Sequence, residues 1–409
     1  MAASLIAAGA RPGTLAEARV VLLNTCTVTA EADAKSRKAL RRSLLAALDA
    51  TVIVCGCGAA VDAEQFEGIA GTHLVIADKE LALQKALELL GLDSDSDSDS
   101  DSGSDSDSES DSHSNIGVSL RVGQGFNTRV QIKVQDGCDN RCSYCIVPLA
   151  RGRARSMPLD KALAEIKAHT EAGAQEIVLT GIDLGNYQDG QNTLEVLLSK
   201  CLELPGSCRF RLSSIELLGI TQELVQLIAA SKGRICAHLH VPLQSGSDAI
   251  LKAMNRPYDA AAFQSKITAA KKALPLLALT TDIIVGFPGE TDDDFNKTLE
   301  LCKELRFSRM HVFRYSKRPG TPAAALPGQV SATIKAQRSK ELRQLAEELA
   351  TADARGRINT TEQVLFETTR KARSESYYEV LVKENEQPGS LKALKIVGYE
   401  HGQLIAENG

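Results

Sequence analysis

The sequence predicts an α/β protein in three parts: an incomplete parallel α/β layer, a partial (βα) barrel and a small β-barrel. Three patterns lead to this reading. Apolar runs rich in Val, Ile and Leu alternate with helix-like segments up to Leu92, the mark of parallel strands covered on both faces. From Arg129 to about Phe313 the alternation resumes for six βα units. Beyond Gln363 the chain turns to short strands separated by turn residues.

The elements follow in order. A helix near Ala2–Ala8 precedes the strand ARVVLLNT, and the charged helix AEADAKSRKALRRSLLAAL leads to the strand ATVIVCG. A helix around Ala63–Ile69, the strand THLVIA and a helix from Lys79 to Leu90 complete a first domain over 1–92. The tract DSDSDSDSDSGSDSDSESDS then holds nine acidic residues and no apolar one, so 93–115 is expected to be a disordered, self-repelling linker. The strands VQIKV, EIVLTGID, FRLSSIE, CAHLHV, TTDIIVGF and RMHVFRYS, with a charged helix from Thr333 to Arg355, make a barrel domain over 128–356. The pieces VLFETT, YYEVLVK, LKALKIVGYE and GQLIAE make a last domain over 363–409.

Composition excludes some functions and leaves others open. Hydrophobic residues at 43% and charged residues at 24% are ordinary for a globular chain, and no apolar run reaches the length of a membrane span. Trp is absent, so aromatic platforms for stacking bases are not advertised. The formal charge of −5 owes its sign to the acidic linker; without it the remainder is mildly basic, compatible with a polyanionic partner. The 10 cysteines are clustered, which speaks for metal binding in a reducing cytoplasm over a secreted disulfide scaffold.

The chemistry centres on QDGCDNRCSYCIVP, which carries Cys138, Cys142 and Cys145 at C-x3-C-x2-C, directly after the first barrel strand. Ligand sites of such barrels lie on the loops at the carboxyl ends of strands. A structural zinc takes four ligands, and the fourth would have to come from Cys201, Cys208, Cys236, His238 or His240. The alternative is a 4Fe–4S cluster with one iron left free of protein. An open iron binds a chelating amine and carboxylate, the amino-acid end of S-adenosylmethionine, and an electron delivered there releases a deoxyadenosyl radical.

With that spacing after a first barrel strand, the chain resembles the radical S-adenosylmethionine superfamily. VLTGIDLGNY resembles the strand end that meets the methionine amino group, placing Gly181 and Asp183 by the cofactor; RLSSIE and HLHVPLQSGSD resemble strands lining the ribose and substrate; DIIVGFPGET resembles the loop against adenine. The resemblance implies that Tyr144, Gly181, Asp183, Ser213, Glu216, Gln244 and Gly286 surround the cofactor. CDNRCSYCIVPLARGRARS, VPLQSGSDAILKAMNRPY, TTDIIVGFPGETDDDF and YSKRPGTPAA narrow it to the methylthiotransferases, which replace C–H by C–SCH3. That family joins a flavodoxin-like domain, a radical barrel and a TRAM-type β-barrel that grips RNA. QDGCDNRCSYC with ARGRARS resembles the branch acting on N6-threonylcarbamoyladenosine at position 37, next to the tRNA anticodon.

The family's N-terminal domain holds a second, auxiliary cluster on three cysteines, and LNTCTVTAEADAKSRKALRR with VIVCGCGAA implies Cys26 and Cys57 as two of them. The strand and first cysteine that open the family pattern are missing ahead of Met1. The expectation is a start placed late or a shortened chain; the rival is a genuine variant with a two-cysteine site or one assisted by Cys55, which strand alternation would put on the face of Cys57. Lys35, Arg37, Lys38, Arg41 and Arg42 are expected to form a solvated helix face, while Arg151, Arg153 and Arg155 are placed to meet phosphate or the cofactor carboxylate. The expected partners are a tRNA anticodon stem-loop, an electron-donor protein and a sulfur donor, with no membrane. Competing readings are methylthiolation of a ribosomal protein side chain or of isopentenyladenosine, and a catalytically impaired RNA-binding iron–sulfur protein.

Overall fold

A computed structural model describes residues 1–92 and 128–407, apart from the side chain of Ala3; the linker expected at 93–115 lies outside these. The chain divides into two compact units, Met1–Ser119 and Leu120–Gly409.

The first unit is a three-stranded parallel sheet of β1 (Val20–Thr25), β2 (Thr51–Gly56) and β3 (His73–Val75), with β2 central. Helix α1 (Ala30–Ala46) starts where Thr29 accepts the Ala32 N–H, with Glu31 and Asp33 in its positively polarised first turn. Helix α2 (Lys79–Leu90) is capped by Asp78 and stopped by Gly91 in the left-handed region. β2 is buried on both faces. Val52 and Val54 pack on Leu40 of α1 and on Phe66, while Ile53 and Cys55 pack on Ala82 and Ala86 of α2. The helix expected around Ala63–Ile69 forms as the short helix Glu64–Glu67, and a further short helix, Cys57–Val61, precedes it, the two separated where the chain breaks to extended φ at Asp62.

In the second unit β4 (Arg129–Lys133), β5 (Glu176–Thr180) and β6 (Arg209–Leu212) form one parallel sheet; β7 (His238–His240), β8 (Ala278–Val285) and β9 (Arg309–Arg314) form another. Parallel bridges Phe210–Ile235 and Ser214–His240 join the two, so six strands run in chain order around an incomplete barrel. Leu279, Ile283 and Val285 of β8 enter the outer core with Phe263, Ile267, Leu299 and Cys302 from helices α3 (Ala260–Ala273) and α4 (Asp292–Leu305). Alternation then leaves Thr280 and Asp282 on the lumen face.

The chain ends in a closed barrel of β10 (Thr361–Phe366), β11 (Lys371–Ser374), β12 (Glu379–Val382), β13 (Leu391–Glu400) and β14 (Gln403–Glu407), in the order β10-β11-β12-β14-β13. This small barrel is joined to the larger one through charge. Arg209 and Arg211 of β6 share the buried Glu176 carboxylate of β5 and donate onward to the carbonyls of Gln363, Arg373, Ser374 and Glu375. Burial works to raise Glu176, yet the two guanidiniums hold it at about 2. Tyr377, at φ 72°, stacks on His238 at 5.2 Å beneath the lumen.

Candidate active site

The loop after β4 is held open by backbone geometry. Gly137 sits at φ 71°, and a Cβ there would lie 1.9 Å from the Arg153 carbonyl oxygen, so only glycine lets the two segments close on each other. Cys138 N–H donates to Gly152 O across that contact. Ser143 is tied to the far side of the lumen, its N–H to Met254 O and its hydroxyl to Ala253 O. Cys138, Cys142 and Cys145, all half-buried and none in a disulfide, therefore line one cavity of about 650 Å³. Burial raises the Cys138 thiol and pushes Cys145 up to about 11, with the neighbouring cysteines adding to the effect.

Zinc fits this trio poorly. A zinc about 2.3 Å from each sulfur would bring the sulfurs within about 4 Å of one another. Among the described residues the set of potential ligands converging within 4.8 Å is His240, Asp282 and His311, not the cysteines. None of Cys201, Cys208 and Cys236 lines the trio's cavity, and all three are buried. A cubane spreads its thiolates over three different irons, and three thiols on one loop suit it.

Behind the thiols lies a continuous polar scaffold. Arg256 donates to Cys142 Sγ at 3.2 Å, pairs with both oxygens of Glu216 and bonds Tyr258 Oη. Burial raises Glu216; Arg256 opposes the rise, and Asp183 and Asp282 add to it. Asp183, 3% exposed, accepts from Asn140 Nδ2 at 3.1 Å, Asn186 Nδ2 at 2.6 Å and the Glu216 N–H at 3.3 Å. Gln135 closes the circuit: its Oε1 accepts the Ile182 and Asp183 N–H groups, and its amide donates to Asp136 O and Gly137 O. A Cβ on Gly181 would strike this glutamine at 2.9 Å, and the Gly181 N–H bonds Ser213 Oγ.

The structure thus brings Gly181, Asp183, Ser213 and Glu216 together next to the trio. Tyr144 packs with Ile250, Met254 and Phe287. Gln244 has φ 69° and a buried Oε1 without a partner among the described residues, an open acceptor of the kind a bound polar ligand satisfies. Gly286 directly follows β8, where its N–H bonds Glu290 and a Cβ would strike Lys335. Arg151 and Arg155, expected to meet phosphate or the cofactor carboxylate, are not among the residues lining the cavity. Both pair with Asp136, which burial would raise but which Lys133, the Gly137 N–H and Arg151 hold at about 2. Arg153, exposed and paired with Asp139, lines the cavity.

In the first unit the register Thr25↔Gly56 carries Cys26 and Cys57 side by side off the carboxyl ends of adjacent strands. Cys55 does not join them. Cys57 has already left the strand to begin a helix, whereas Cys55 is fully buried against α2, and burial raises its thiol. On α1, Lys35 pairs with Glu31 and Arg37 with Gln65, an ordinary solvated face.

Gln135, Asn140 and Arg256 were not singled out from sequence. Gln135 and Arg256 stand inside recognised motifs, QDGC and NRPY, but nothing in spacing shows that they clamp other loops. A parallel partial barrel with three free thiols on one loop at its carboxyl end is the arrangement of a radical S-adenosylmethionine enzyme.

Comparisons with known proteins agree. The radical SAM superfamily model matches residues 132–302, and that of uncharacterized protein family UPF0004 matches residues 1–77. Threonylcarbamoyladenosine tRNA methylthiotransferase MtaB of Bacillus subtilis is 34% identical over 405 residues, covering 95% of this chain and 88% of the relative. The Rickettsia prowazekii protein of the same name is 33% identical, covering 94% of this chain and 89% of the relative. A tRNA-2-methylthio-N(6)-dimethylallyladenosine synthase of Desulfitobacterium hafniense is 40% identical over a shorter stretch, 60% of this chain and 55% of the relative. Among solved structures, the radical S-adenosylmethionine methyltransferase TsrM of Kitasatospora setae, with cobalamin and a 4Fe–4S cluster bound, shares the fold at a TM-score of 0.54 and 15% identity, over 76% of this chain and 67% of its own. This chain belongs to the radical SAM methylthiotransferase family, whose cofactors are a 4Fe–4S cluster and S-adenosylmethionine.

Proposed function

We propose that this chain is a cytoplasmic tRNA-modifying enzyme that replaces the hydrogen on carbon 2 of N6-threonylcarbamoyladenosine, at position 37 beside the anticodon, by a methylthio group. The observation that carries the reading is the 34% identity with the Bacillus subtilis MtaB protein across 95% of the chain, with the trio, Gly181, Asp183 and Glu216 in one linked site. Cys138, Cys142 and Cys145 hold the radical cluster. When bound, it supplies the electron that cleaves S-adenosylmethionine to a radical able to take hydrogen from an unactivated carbon. Asp183 and Glu216, held by Gln135 and Arg256, position the cofactor; Gln244 offers it an acceptor. A second S-adenosylmethionine gives the methyl group, a sulfur donor the sulfur and an electron-donor protein the reducing equivalents.

Cys26 and Cys57 serve the auxiliary cluster, and the C-terminal barrel grips the anticodon stem-loop. Among the described residues no helix is long and apolar enough to cross a membrane. The test is anaerobic incubation of the reconstituted full chain, reductant and S-adenosylmethionine with three substrates: tRNA bearing threonylcarbamoyladenosine, tRNA bearing isopentenyladenosine, and ribosomal protein. The methylthio group is expected on the first alone. Product on either of the others in its place, or RNA binding without S-adenosylmethionine cleavage, refutes the reading.

A further inference from the structure

A second group of side chains lies in the lumen beside the polar scaffold behind the thiols. His240, Asp282 and His311 stand on the neighbouring strands β7, β8 and β9. The register pairs His240 with Thr280 and Asp282 with His311, so all three share the lumen face. Their ligand atoms lie within 4.8 Å of one another.

The hydrogen bonds give the group a direction. Asp282 Oδ1 meets His240 Nε2 at 3.3 Å and His311 Nδ1 at 3.1 Å. His240 also bonds Thr280 Oγ1 through Nδ1 at 2.9 Å, so both of its ring nitrogens are used. His311 uses only Nδ1; among the described residues its Nε2 has no partner, and its side chain is 51% exposed in mid-strand. With Nδ1–H given to the carboxylate, Nε2 offers a lone pair to a hydroxyl or N–H. In its doubly protonated form the ring donates an N–H to a carboxylate.

The group also stands close to the reacting centre. Ser214 bridges His240, Ile215 N–H donates to His240 O at 3.0 Å, and Glu216 follows with its link through Arg256 to Cys142. A substrate base presented to the cofactor therefore has its substituents in reach of β7–β9. The relatives are named for two kinds of modified adenosine, threonylcarbamoyladenosine and dimethylallyladenosine. The first carries a carboxylate, a hydroxyl and urea N–H groups. The second is hydrocarbon, and seating it against Asp282 and His311 would remove water from both with no bond in return.

We propose that His311, oriented by Asp282 and steadied by His240, is a specificity-determining residue that binds the polar, carboxylate-bearing N6 substituent of the target adenosine and disfavours an apolar one. This rests on the tRNA reading above and names the part of the site that selects the substrate.

The experiment measures initial rates of the reconstituted full chain and of His311→Phe and His311→Gln on tRNA bearing threonylcarbamoyladenosine and on tRNA bearing dimethylallyladenosine. His311→Phe is expected to lower kcat/KM on the first tRNA at least about tenfold, mainly through KM, the size of a lost hydrogen bond to a charged group. His311→Gln, which keeps a polar tip, is expected to recover part of the loss. Cluster content and tRNA-independent cleavage of S-adenosylmethionine should match the wild type, which separates recognition from misfolding. An unchanged kcat/KM for His311→Phe overturns the inference and leaves the tRNA reading standing. A wild type inactive on threonylcarbamoyl tRNA overturns both. A requirement for added zinc or manganese would make the three side chains metal ligands and overturn the inference alone.

Discussion

The Arg256 guanidinium lies 3.2 Å from the Cys142 sulfur while gripping both oxygens of Glu216, so one buried cation ties the thiol loop to the carboxylate that follows β6. Positive charge behind a cluster thiolate offsets the electron density that an iron–sulfur centre gathers on reduction. It also fixes Glu216, whose own N–H bonds Asp183. The thiol loop and the segments carrying Asp183 and Glu216 are thereby one mechanical unit.

Removing that cation should disable both ends. Arg256→Met leaves Glu216 as a largely buried carboxylate without its partner, and the expected loss of stability is about 3–5 kcal/mol by chemical denaturation. Arg256→Met with Glu216→Leu should regain much of that stability yet still lack the spectral change on adding S-adenosylmethionine. Recovery of the response by the double variant would show that the pair serves folding alone.

Gln135 makes a different prediction, because its bonds go to backbone. Gln135→Ala strands the Ile182 and Asp183 N–H groups, at about 1–3 kcal/mol for each buried donor. Calorimetric titration should show S-adenosylmethionine binding weakened about tenfold, the equivalent of about 1.4 kcal/mol. Gln135→Glu keeps an acceptor for both donors and should bind more tightly than the alanine variant. Equal affinity in the two variants would contradict the clamp.

Acid should loosen the joint between the two barrels. Glu176 is held at about 2 in the folded protein against 4.5 ordinarily, so its stabilising contribution is complete above pH 4.5 and is lost as pH falls toward 2. Its size is about 3 kcal/mol. Glu176→Gln should destabilise the protein at neutral pH, leaving Arg209 and Arg211 buried without their carboxylate, and should flatten this part of the acid limb. An acid limb of unchanged slope in equilibrium unfolding would contradict the assignment.

The N-terminal unit separates three neighbouring cysteines. Cys55→Ala should leave iron and sulfide per chain unchanged after reconstitution, because its sulfur is packed against α2. Cys57→Ala and Cys26→Ala should each lower both counts. Iron lost only in the Cys55 variant would reverse the assignment.

Much of this was legible in the chain because strand burial leaves a period. β2 reads as an unbroken apolar run since Val52 and Val54 face α1 while Ile53 and Cys55 face α2. The six barrel strands were readable for the same reason, and the trio by its spacing. What stayed hidden depends on contacts between distant positions. Gln135 bonds a loop 47 residues away, and Arg256 reaches back 114 residues to Cys142. Spacing carries no sign of such pairs. The pairing of Arg151 and Arg155 with Asp136 was hidden in the same way, since a lone aspartate does not announce which arginines it will claim. Cys55 was misplaced because alternation was carried one residue past Gly56, where φ of 91° turns the chain off the strand.

The central claim is that three thiols leave one iron free to hold the amino-acid end of S-adenosylmethionine. Electron–nuclear double resonance on the reduced, anaerobically reconstituted protein tests it directly, using S-adenosylmethionine with a heavy-nitrogen label in its amino group. The account predicts a hyperfine coupling from that nitrogen to a cluster that disappears in Cys142→Ala. A cluster signal with no coupling to the label, or one that persists without Cys142, would contradict it.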